Sequence, residues 1–258
     1  MTAQEVVLYF TLKYKGSWKE IFDAIKSREK IPENYDFEEM KKSIKSKYVT
    51  LLDPDYPNFL KQMIKPPFAL FYYGDLNLIK DNNLNLSVVG KRDNTLYGRQ
   101  VCNELINDLS GKNINIISGF AHGIDSIAHK ASLKNGIKTV AVLASGIDNC
   151  YPKENYNLYE DIKNKGLIIS EYPNDTQVSH DNFAFRNRLI AIFSKCLLVI
   201  EGEQSSGTSM TVRYALENSR DVLCVPSNIN SCSLCNDLIK DGADLIRNVD
   251  DILYYYKN

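Results

Sequence analysis

The sequence contains no uninterrupted apolar run long enough to cross a membrane, and its first residues lack the basic start and apolar core of a signal peptide. We therefore expect no membrane association and a cytoplasmic location. An excess of one charge is also missing, because the formal net charge is −1 over 258 residues. No chain-wide basic field indicates a nucleic-acid partner, so any site for a polyanion must be a local cluster.

Metal-binding patterns are scarce as well. His122, His129 and His180 do not stand at metal-ligand spacing, and His129 is interpreted as a helix-packing residue. The six cysteines are scattered, and several lie in apolar runs, which is typical of buried free thiols in a reducing cytoplasm. Cys232 and Cys235 form a lone Cys-x-x-Cys without a second pair nearby, so a structural role is favoured over a redox pair, and no metal site is predicted.

Several well-known catalytic and nucleotide-binding patterns are absent too. The glycine-containing turns lack the spaced glycines of a dinucleotide site, and Ser205–Thr211 lacks the Lys-Ser/Thr ending of a P-loop. No Ser-His-Asp arrangement is evident. We therefore expect a binding protein that is not an enzyme and that uses no cofactor.

What the sequence does contain is the composition of a soluble globular protein, with 44% hydrophobic and 24% charged residues. From residue 84 onward, short apolar runs alternate with segments of helical spacing, which predicts an α/β fold with a parallel sheet covered on both faces. Strands are predicted at 68–73, 86–89, 115–118, 139–143, 167–170, 197–200 and 222–225, with helices at 97–109 and 186–193 and others ending at 134, 165 and 218.

The first part of the chain has a different pattern. Residues 6–48 carry helical stripes of apolar residues between Lys- and Glu-rich spacers, which predicts a small helical domain over residues 1–50. Its lysines either form a solvated face or contact DNA. A proline-rich joint follows, and the main domain is predicted over residues 51–258.

Ligands of parallel α/β sheets bind beyond the carboxyl ends of the strands, and that rule places the strand-to-helix loops on one rim. The glycine loop, defined as residues 118–123, combines two glycines with a following helix N-terminus, and this favours an anion. The alternative is a turn that binds nothing. The candidate phosphate-binding residues of this loop are Ser118, Gly119, Phe120, Ala121, His122 and Gly123.

Cations follow the strand at 86–89. Gly90, Lys91 and Arg92 lie directly after it, at the rim position where charges face a ligand. In the alternative interpretation, the two cations are ordinary solvated loop charges.

A second basic cluster consists of Arg186, Asn187 and Arg188, with two phenylalanines just upstream. Arginine binds phosphate through two parallel hydrogen bonds, and aromatic rings offer stacking surfaces for unpaired bases. One of the two arginines is instead expected to pair with Glu171 or Glu201, so we divide the pair between these roles.

The serine loop, defined as residues 205–209, opens another helix after a strand. Ser206, Gly207 and Thr208 add hydroxyl groups to the amide donors of a helix N-terminus, so this loop is a second candidate anion site. Together, the rim residues favour an extended phosphate backbone over chemistry on one small molecule.

Seven motifs, found in the same order, resemble the DprA/Smf family of bacterial DNA-processing proteins and cover the chain from about residue 56 to residue 243. They are Val-Gly-Lys-Arg (89–92), Ser-Gly-Phe-Ala-His-Gly-Ile-Asp (118–125), Tyr-Pro-Lys-Glu-Asn (151–155), Ser-Glu-Tyr-Pro (170–173), Phe-Ala-Phe-Arg-Asn-Arg (183–188), Ser-Gly-Thr-Ser-Met-Thr (206–211) and Asn-Asp-Leu-Ile-Lys-Asp-Gly-Ala (236–243).

This resemblance implies an extended Rossmann-like domain that binds single-stranded DNA, protects incoming DNA in natural transformation, helps to load the RecA recombinase and forms a homodimer. It implies phosphate contacts at Arg92, Arg186, Asn187 and Arg188, and Lys153 joins the candidate DNA-binding residues. Many members of the family carry a C-terminal winged-helix domain, which we do not expect in this chain.

Two other functions are compatible with parts of the pattern. One is a related Rossmann-like enzyme that cleaves nucleoside monophosphates, in which Glu217 would act as the acid, but the glycines of its signature are only partly present around Gly207. The other is a nucleotide sensor that uses a single anion site, which does not explain basic clusters at several points of the rim.

Overall fold

The structure is a computed structural model that describes residues 1–32, 37–229 and 233–257. Its helices are α1 (Ala3–Lys13), α2 (Trp18–Lys26), α3 (Phe37–Lys42), α4 (Leu96–Asp108), α5 (Ile124–Lys134), α6 (Tyr156–Lys165), α7 (His180–Ile192), α8 (Gly207–Glu217), α9 (Leu234–Lys240) and α10 (Val249–Leu253). Its strands are β1 (Lys47–Thr50), β2 (Ala69–Gly74), β3 (Asn85–Val89), β4 (Asn115–Ser118), β5 (Thr139–Val142), β6 (Leu167–Ser170), β7 (Cys196–Val199), β8 (Asp221–Cys224) and β9 (Asp244–Leu245).

All of these strands form one sheet in the order β1-β2-β6-β5-β4-β3-β7-β8-β9. The strands from β6 to β9 in this order pair in parallel, whereas β1 and β2 are antiparallel additions at one edge. The predicted α/β class and the mostly parallel sheet are therefore confirmed. The predicted core strands also agree with the observed ones to within a residue at each end.

Apolar side chains cover both faces of the sheet, because successive residues of a strand point to opposite sides. Ile117 packs under α7 and α8, whereas its neighbour Ile116 packs under α4 and α5. Both side chains are completely buried. This two-sided burial explains why the parallel strands read as nearly continuous apolar runs.

The amino-terminal helices share a core with the sheet. Leu8 and Phe10 of α1 belong to the same buried cluster as Phe71 of β2 and Ile168 of β6. Residues 47–50, which the sequence analysis placed in the helical segment, form β1 and pair with β2. The helical interpretation of Tyr48 is therefore wrong, and the domain division at residue 50 stays a prediction.

Helix α7 begins six residues earlier than the helix predicted at 186–193. Ser179 caps it by accepting a hydrogen bond from the Asn182 amide, and Asp181 lies in the first turn, where a carboxylate complements the helix dipole. The Arg-Asn-Arg motif consequently lies in the middle of this helix, where its buried half begins, and not at its start.

His129 has the packing role expected for it. It is completely buried in α5, and its Nδ1 lies 2.7 Å from Thr139 Oγ1. Burial lowers the pKa of this imidazole to about 3. Cys235 is a buried free thiol, and Cys232 lies outside the described residues.

The described ranges contain neither a membrane-spanning helix nor a metal-binding cluster. No helix there is long and apolar enough to span a bilayer. Within the same ranges, His, Cys, Asp and Glu side chains do not gather in groups of three or more that could hold a metal ion.

Candidate functional site

The direction of chain winding changes at the centre of the sheet. From β3 the chain proceeds through β4 and β5 to β6 on one side, and from β7 it proceeds through β8 to β9 on the other. Since β3 and β7 are neighbours, their carboxyl ends enclose the crevice in which open α/β sheets bind ligands. The residues that follow β3 and β7 therefore lie at this crevice.

A cavity of about 1140 Å³, here called the main cavity, opens at this crevice. It lies between the loop after β3, the serine loop and the first half of α7. The residues that line it are Val89, Gly90, Lys91, Arg92, Asp93, Ala121, Asp125, Val178, Ser179, His180, Phe183, Ala184, Arg186, Asn187, Ile190, Glu203, Ser205, Ser206, Gly207, Thr208, Ser209, Met210, Thr211 and Arg213.

The serine loop presents the N-terminus of α8 to the main cavity. The Ser206 hydroxyl accepts a hydrogen bond from the Ser209 amide, and the Ser209 hydroxyl lies 3.0 Å from the Ser206 amide that donates to it. Within the described ranges, the amides of Gly207 and Thr208 make no hydrogen bond, and the first turn of α8 contains no acidic residue. These amides and the helix dipole form a site suited to an anion.

Arg92 stacks on an aromatic ring at the mouth of the main cavity. Its guanidinium carbon lies 4.8 Å from the centre of the Phe183 ring, and its side chain is exposed. Arg92 has no ion-pair partner among the residues that the structure describes. Lys91, by contrast, forms an ion pair with Glu203 at 2.5 Å, which raises the pKa of this lysine.

Arg186 and Asn187 connect the two loops. The Arg186 guanidinium is buried and donates to the carbonyl oxygens of Gly119, at 2.5 Å, and of Val142. Its Nε donates to Asn187 Oδ1 at 3.2 Å, and Asn187 Nδ2 in turn donates to the Gly207 carbonyl at 3.2 Å. The two side chains thus fix the glycine loop relative to the serine loop.

Asp125 occupies the anion position of the glycine loop. Its Oδ2 accepts a hydrogen bond of 3.2 Å from the Ala121 amide, and the carboxylate is buried near the N-terminus of α5. Burial raises the pKa of Asp125, while the Arg186 guanidinium opposes that shift. The amide of Ile124 donates to the Lys91 carbonyl at 3.2 Å. Two amides of this loop region, those of Ala121 and Ile124, therefore already donate to acceptors of the protein itself and are not available to an external anion.

Arg188 is committed to the protein interior. Its guanidinium forms a two-point ion pair with Glu171, at 2.5 and 2.6 Å, and is buried. It also donates to the Lys65 carbonyl and stacks on Phe185, 3.7 Å from the ring centre. The expected pairing of one arginine with Glu171 is therefore confirmed for Arg188. Arg186, the other arginine, is also held by acceptors of the protein itself.

The main cavity collects nine of the candidate residues: Gly90, Lys91, Arg92, Ala121, Arg186, Asn187, Ser206, Gly207 and Thr208. The other candidates do not line it. Ser118 donates its hydroxyl to the Val88 carbonyl, and Phe120 is buried. His122 and Lys153 are exposed, and His122 Nε2 lies 3.8 Å from Glu154 Oε2.

Several lining residues were missed by the sequence analysis. Arg213 lies two turns into α8, and its spacing of four residues from Ser209 and three from Met210 was the signal that could have revealed it. Ser205 adopts a positive φ of 57°, which bends the chain into the helix. Glu217, the acid required by the enzymatic alternative, lies exposed at the end of α8 near Arg213 and does not line the cavity.

Comparison with known families gives one family match. Residues 47–257 match the family described as DNA recombination-mediator protein A. The DNA processing protein DprA of Streptococcus pneumoniae is 37% identical over 206 residues, covering 79% of this chain and 72% of that protein. Protein Smf of Synechocystis is 36% identical over 210 residues, covering 80% of this chain but 53% of that protein.

Solved structures give the same result. The crystal structure of Streptococcus pneumoniae DprA is 33% identical and superposes with a TM-score of 0.81, covering 93% of this chain and 81% of that one. A Helicobacter pylori DprA structure, described for its single-stranded DNA binding mode, is 28% identical with a TM-score of 0.73. That match covers 81% of this chain and 95% of the other. Both likenesses confirm the extended Rossmann-like architecture.

Proposed function

This chain belongs to the DNA recombination-mediator protein A family, also named DprA/Smf, and we propose that it binds single-stranded DNA in the main cavity and mediates recombination. The Helicobacter pylori relative is described as binding single-stranded DNA, and its fold covers 81% of this chain. The chemistry of the main cavity supports extending that property to this protein.

The observation that carries the proposal is the pairing of Arg92 with Phe183 opposite the amides of Gly207 and Thr208. An exposed guanidinium and a helix N-terminus bind phosphate, and an aromatic ring offers a surface for a base. Such contacts are tolerant of sequence, because every nucleotide has a phosphate and every base has a flat face.

The remaining candidate residues take different parts in this proposal. Arg186 and Asn187 line the cavity but mainly position its loops through their hydrogen bonds. Ser118 and Arg188 support the scaffold from the interior. His122 and Lys153 would contact the strand only where it leaves the cavity.

Fluorescence anisotropy with a labelled single-stranded oligonucleotide tests the proposal. Arg92→Ala is expected to weaken binding by about tenfold, since a charged phosphate contact contributes about 1.4 kcal/mol. The plot of log affinity against log salt should become shallower by about 0.7, the value for one phosphate contact on a single strand.

Arg99→Ala is the matched control, because Arg99 is also an exposed arginine but lies on α4 outside the main cavity. The Arg99→Ala variant should bind the oligonucleotide with the same affinity as the wild type. The proposal fails if the folded wild type does not bind at low salt, or if both variants bind equally well.

The family resemblance supports further parts of the proposal: a homodimer, a role in natural transformation, and delivery of DNA to RecA in the cytoplasm without catalysis.

Leu245 and Tyr254 near the β9 edge of the sheet are large and exposed, at 41% and 71%, and are candidates for the dimer contact. Light scattering at rising protein concentration should give twice the mass of one chain. The Tyr254→Ser substitution should lower the measured mass toward that of one chain. A monomer at all concentrations would contradict the dimer.

A further inference from the structure

A second opening, here called the lysine groove, lies between the amino-terminal helices and α7. Its volume is about 790 Å³, which is sufficient for a nucleotide-sized ligand. It is lined by Lys13, Tyr14, Lys15, Gly16, Ser17, Trp18, Lys19, Glu20, Lys65, Tyr172, Thr176, Gln177, Ser179, Asp181, Asn182, Ala184, Phe185 and Tyr214. Residues before 47, which include most of its basic side chains, lie outside the match to the family.

The lysine groove is adjacent to the main cavity. Ser179 and Ala184 line both, so the two openings meet across the first turn of α7. Phe183 faces the main cavity and Phe185 faces the lysine groove, because residues two apart on a helix point about 200° apart. One helix therefore presents an aromatic ring to each opening.

The backbone at Lys65 is held from two sides while its side chain is exposed. Arg188 donates to the Lys65 carbonyl at 3.2 and 3.3 Å, and Trp18 Nε1 donates to the Pro66 carbonyl at 2.8 Å. The Lys65 ammonium lies 5.7 Å from the Trp18 ring centre and 5.9 Å from the Phe185 ring centre. This arrangement keeps a cation between two aromatic side chains.

The wall formed by the α1–α2 turn is also fixed. Gly16 adopts a positive φ of 79°, and a side chain at this position would lie 2.6 Å from the Glu171 carbonyl oxygen. Only glycine allows so close an approach in that conformation. Lys15 and Lys19, on either side of this turn residue, line the groove together with Lys65.

The charge of the groove suits a polyanion. Lys13 is paired with Glu29, but Lys15, Lys19 and Lys65 have no ion-pair partner among the described residues, and the acidic residues that line the groove are Glu20 and Asp181. Basic side chains interleaved with aromatic rings are the pattern of grooves that follow a single strand.

We propose that the lysine groove binds the next segment of the single strand that occupies the main cavity, with Lys65 contacting a phosphate between the Trp18 and Phe185 side chains. The inference rests on the proposed function, since the occupant is the same DNA strand. It assigns Arg188, which does not line the main cavity, the task of positioning Lys65.

The length of the oligonucleotide separates the two openings. A strand of about six nucleotides should fill the main cavity alone, whereas one of about 20 should reach the groove as well. Lys65→Ala should leave the affinity for the short strand unchanged and weaken the long one by about threefold to fivefold, with a salt slope shallower by about 0.7. Lys42→Ala removes an exposed lysine of α3 outside the groove and serves as the matched control.

Trp18 supplies a local readout in the wild-type protein, because it is the single tryptophan of the sequence. The long strand should change its fluorescence at saturation, and the short strand should not. The groove proposal alone would be overturned if the long strand bound without changing the Trp18 emission. It would also be overturned if wild type and Lys65→Ala had equal affinities at both lengths. No binding at either length would overturn the proposed function together with it.

Discussion

The glycine loop and the serine loop lie on either side of β3, and each leads from a parallel strand into a helix of 11 residues. In the glycine loop, a carboxylate of the chain itself accepts the Ala121 amide, and Phe120 is buried. The serine loop contains no acidic residue in its first helical turn and lines the main cavity along its whole length. One loop is closed by its own side chains, and the other is open to a ligand.

This difference shows that a strand, a glycine turn and a helix do not by themselves make an anion site. A helix N-terminus attracts negative charge from whichever source is nearest. Asp125 provides that charge within α5, so the glycine loop acts mainly as a joint between β4, α5 and α7.

Arg186→Met should destabilise the protein by about 3–5 kcal/mol, because it leaves the Gly119 and Val142 carbonyls without a donor and Asp125 without its nearby guanidinium. Urea unfolding measures the change. Arg213→Met on the open side, where the side chain is exposed, should alter the free energy of unfolding by less than about 0.5 kcal/mol. Equal effects of the two variants would contradict the joint role of the glycine loop.

Gly123→Ala should destabilise by about 2–4 kcal/mol, because φ is +74° and the added carbon would lie 2.2 Å from the Lys91 carbonyl oxygen. Thermal unfolding of the variant and the wild type measures this loss of stability. Gly207→Ala is the corresponding change in the serine loop, where the nearest atom is Asn187 Nδ2 at 3.9 Å, so its stability should stay near that of the wild type. A Gly123→Ala protein as stable as Gly207→Ala would show that the glycine loop is not closely packed.

Stability should fall as the pH drops below 6.5, because burial lowers the folded-state pKa of His129 from 6.5 to about 3. The unfolded chain then binds a proton that the folded protein does not bind. Between pH 6.5 and pH 5 this lowers the free energy of unfolding by about 1.7 kcal/mol. The loss continues until the pH approaches 3.

Urea unfolding of wild type and His129→Gln over this pH range isolates the contribution. The plot of the free energy of unfolding against pH should be shallower for the variant, by the amount that corresponds to about one proton. The groups common to both proteins contribute equally and cancel. Parallel slopes would show that His129 is not neutral and buried in α5.

Ser206→Ala should destabilise by about 1 kcal/mol, because its hydroxyl caps α8 through the Ser209 amide. Ser17→Ala is the control, since Ser17 stands at the same position of α2 without a side-chain capping bond. Thermal unfolding should rank the two variants in that order. An equal or larger loss for Ser17→Ala would mean that the capping bond contributes little.

The sequence alone determined the class of fold, because a buried parallel sheet requires continuous apolar strands and these are visible at 86–89, 115–118 and 167–170. The ordered motifs also identified the family, which the comparison over residues 47–257 confirms. Arg92 and residues 206–208 could be found in this way because they lie in or next to the loops that follow β3 and β7, and the rule for parallel sheets places such residues at the crevice.

Tertiary structure decided the properties that depend on partners far apart in the chain. Only the fold brings Glu171 to Arg188, Gly119 to Arg186 and the amino-terminal Trp18 to Lys65. A basic residue in a motif looks the same in sequence whether it faces solvent or a buried carbonyl, since its role follows from the acceptors within reach. The sequence therefore identified the charged residues. The packing of α7 against the glycine loop and the serine loop determined which of them remain available to a ligand.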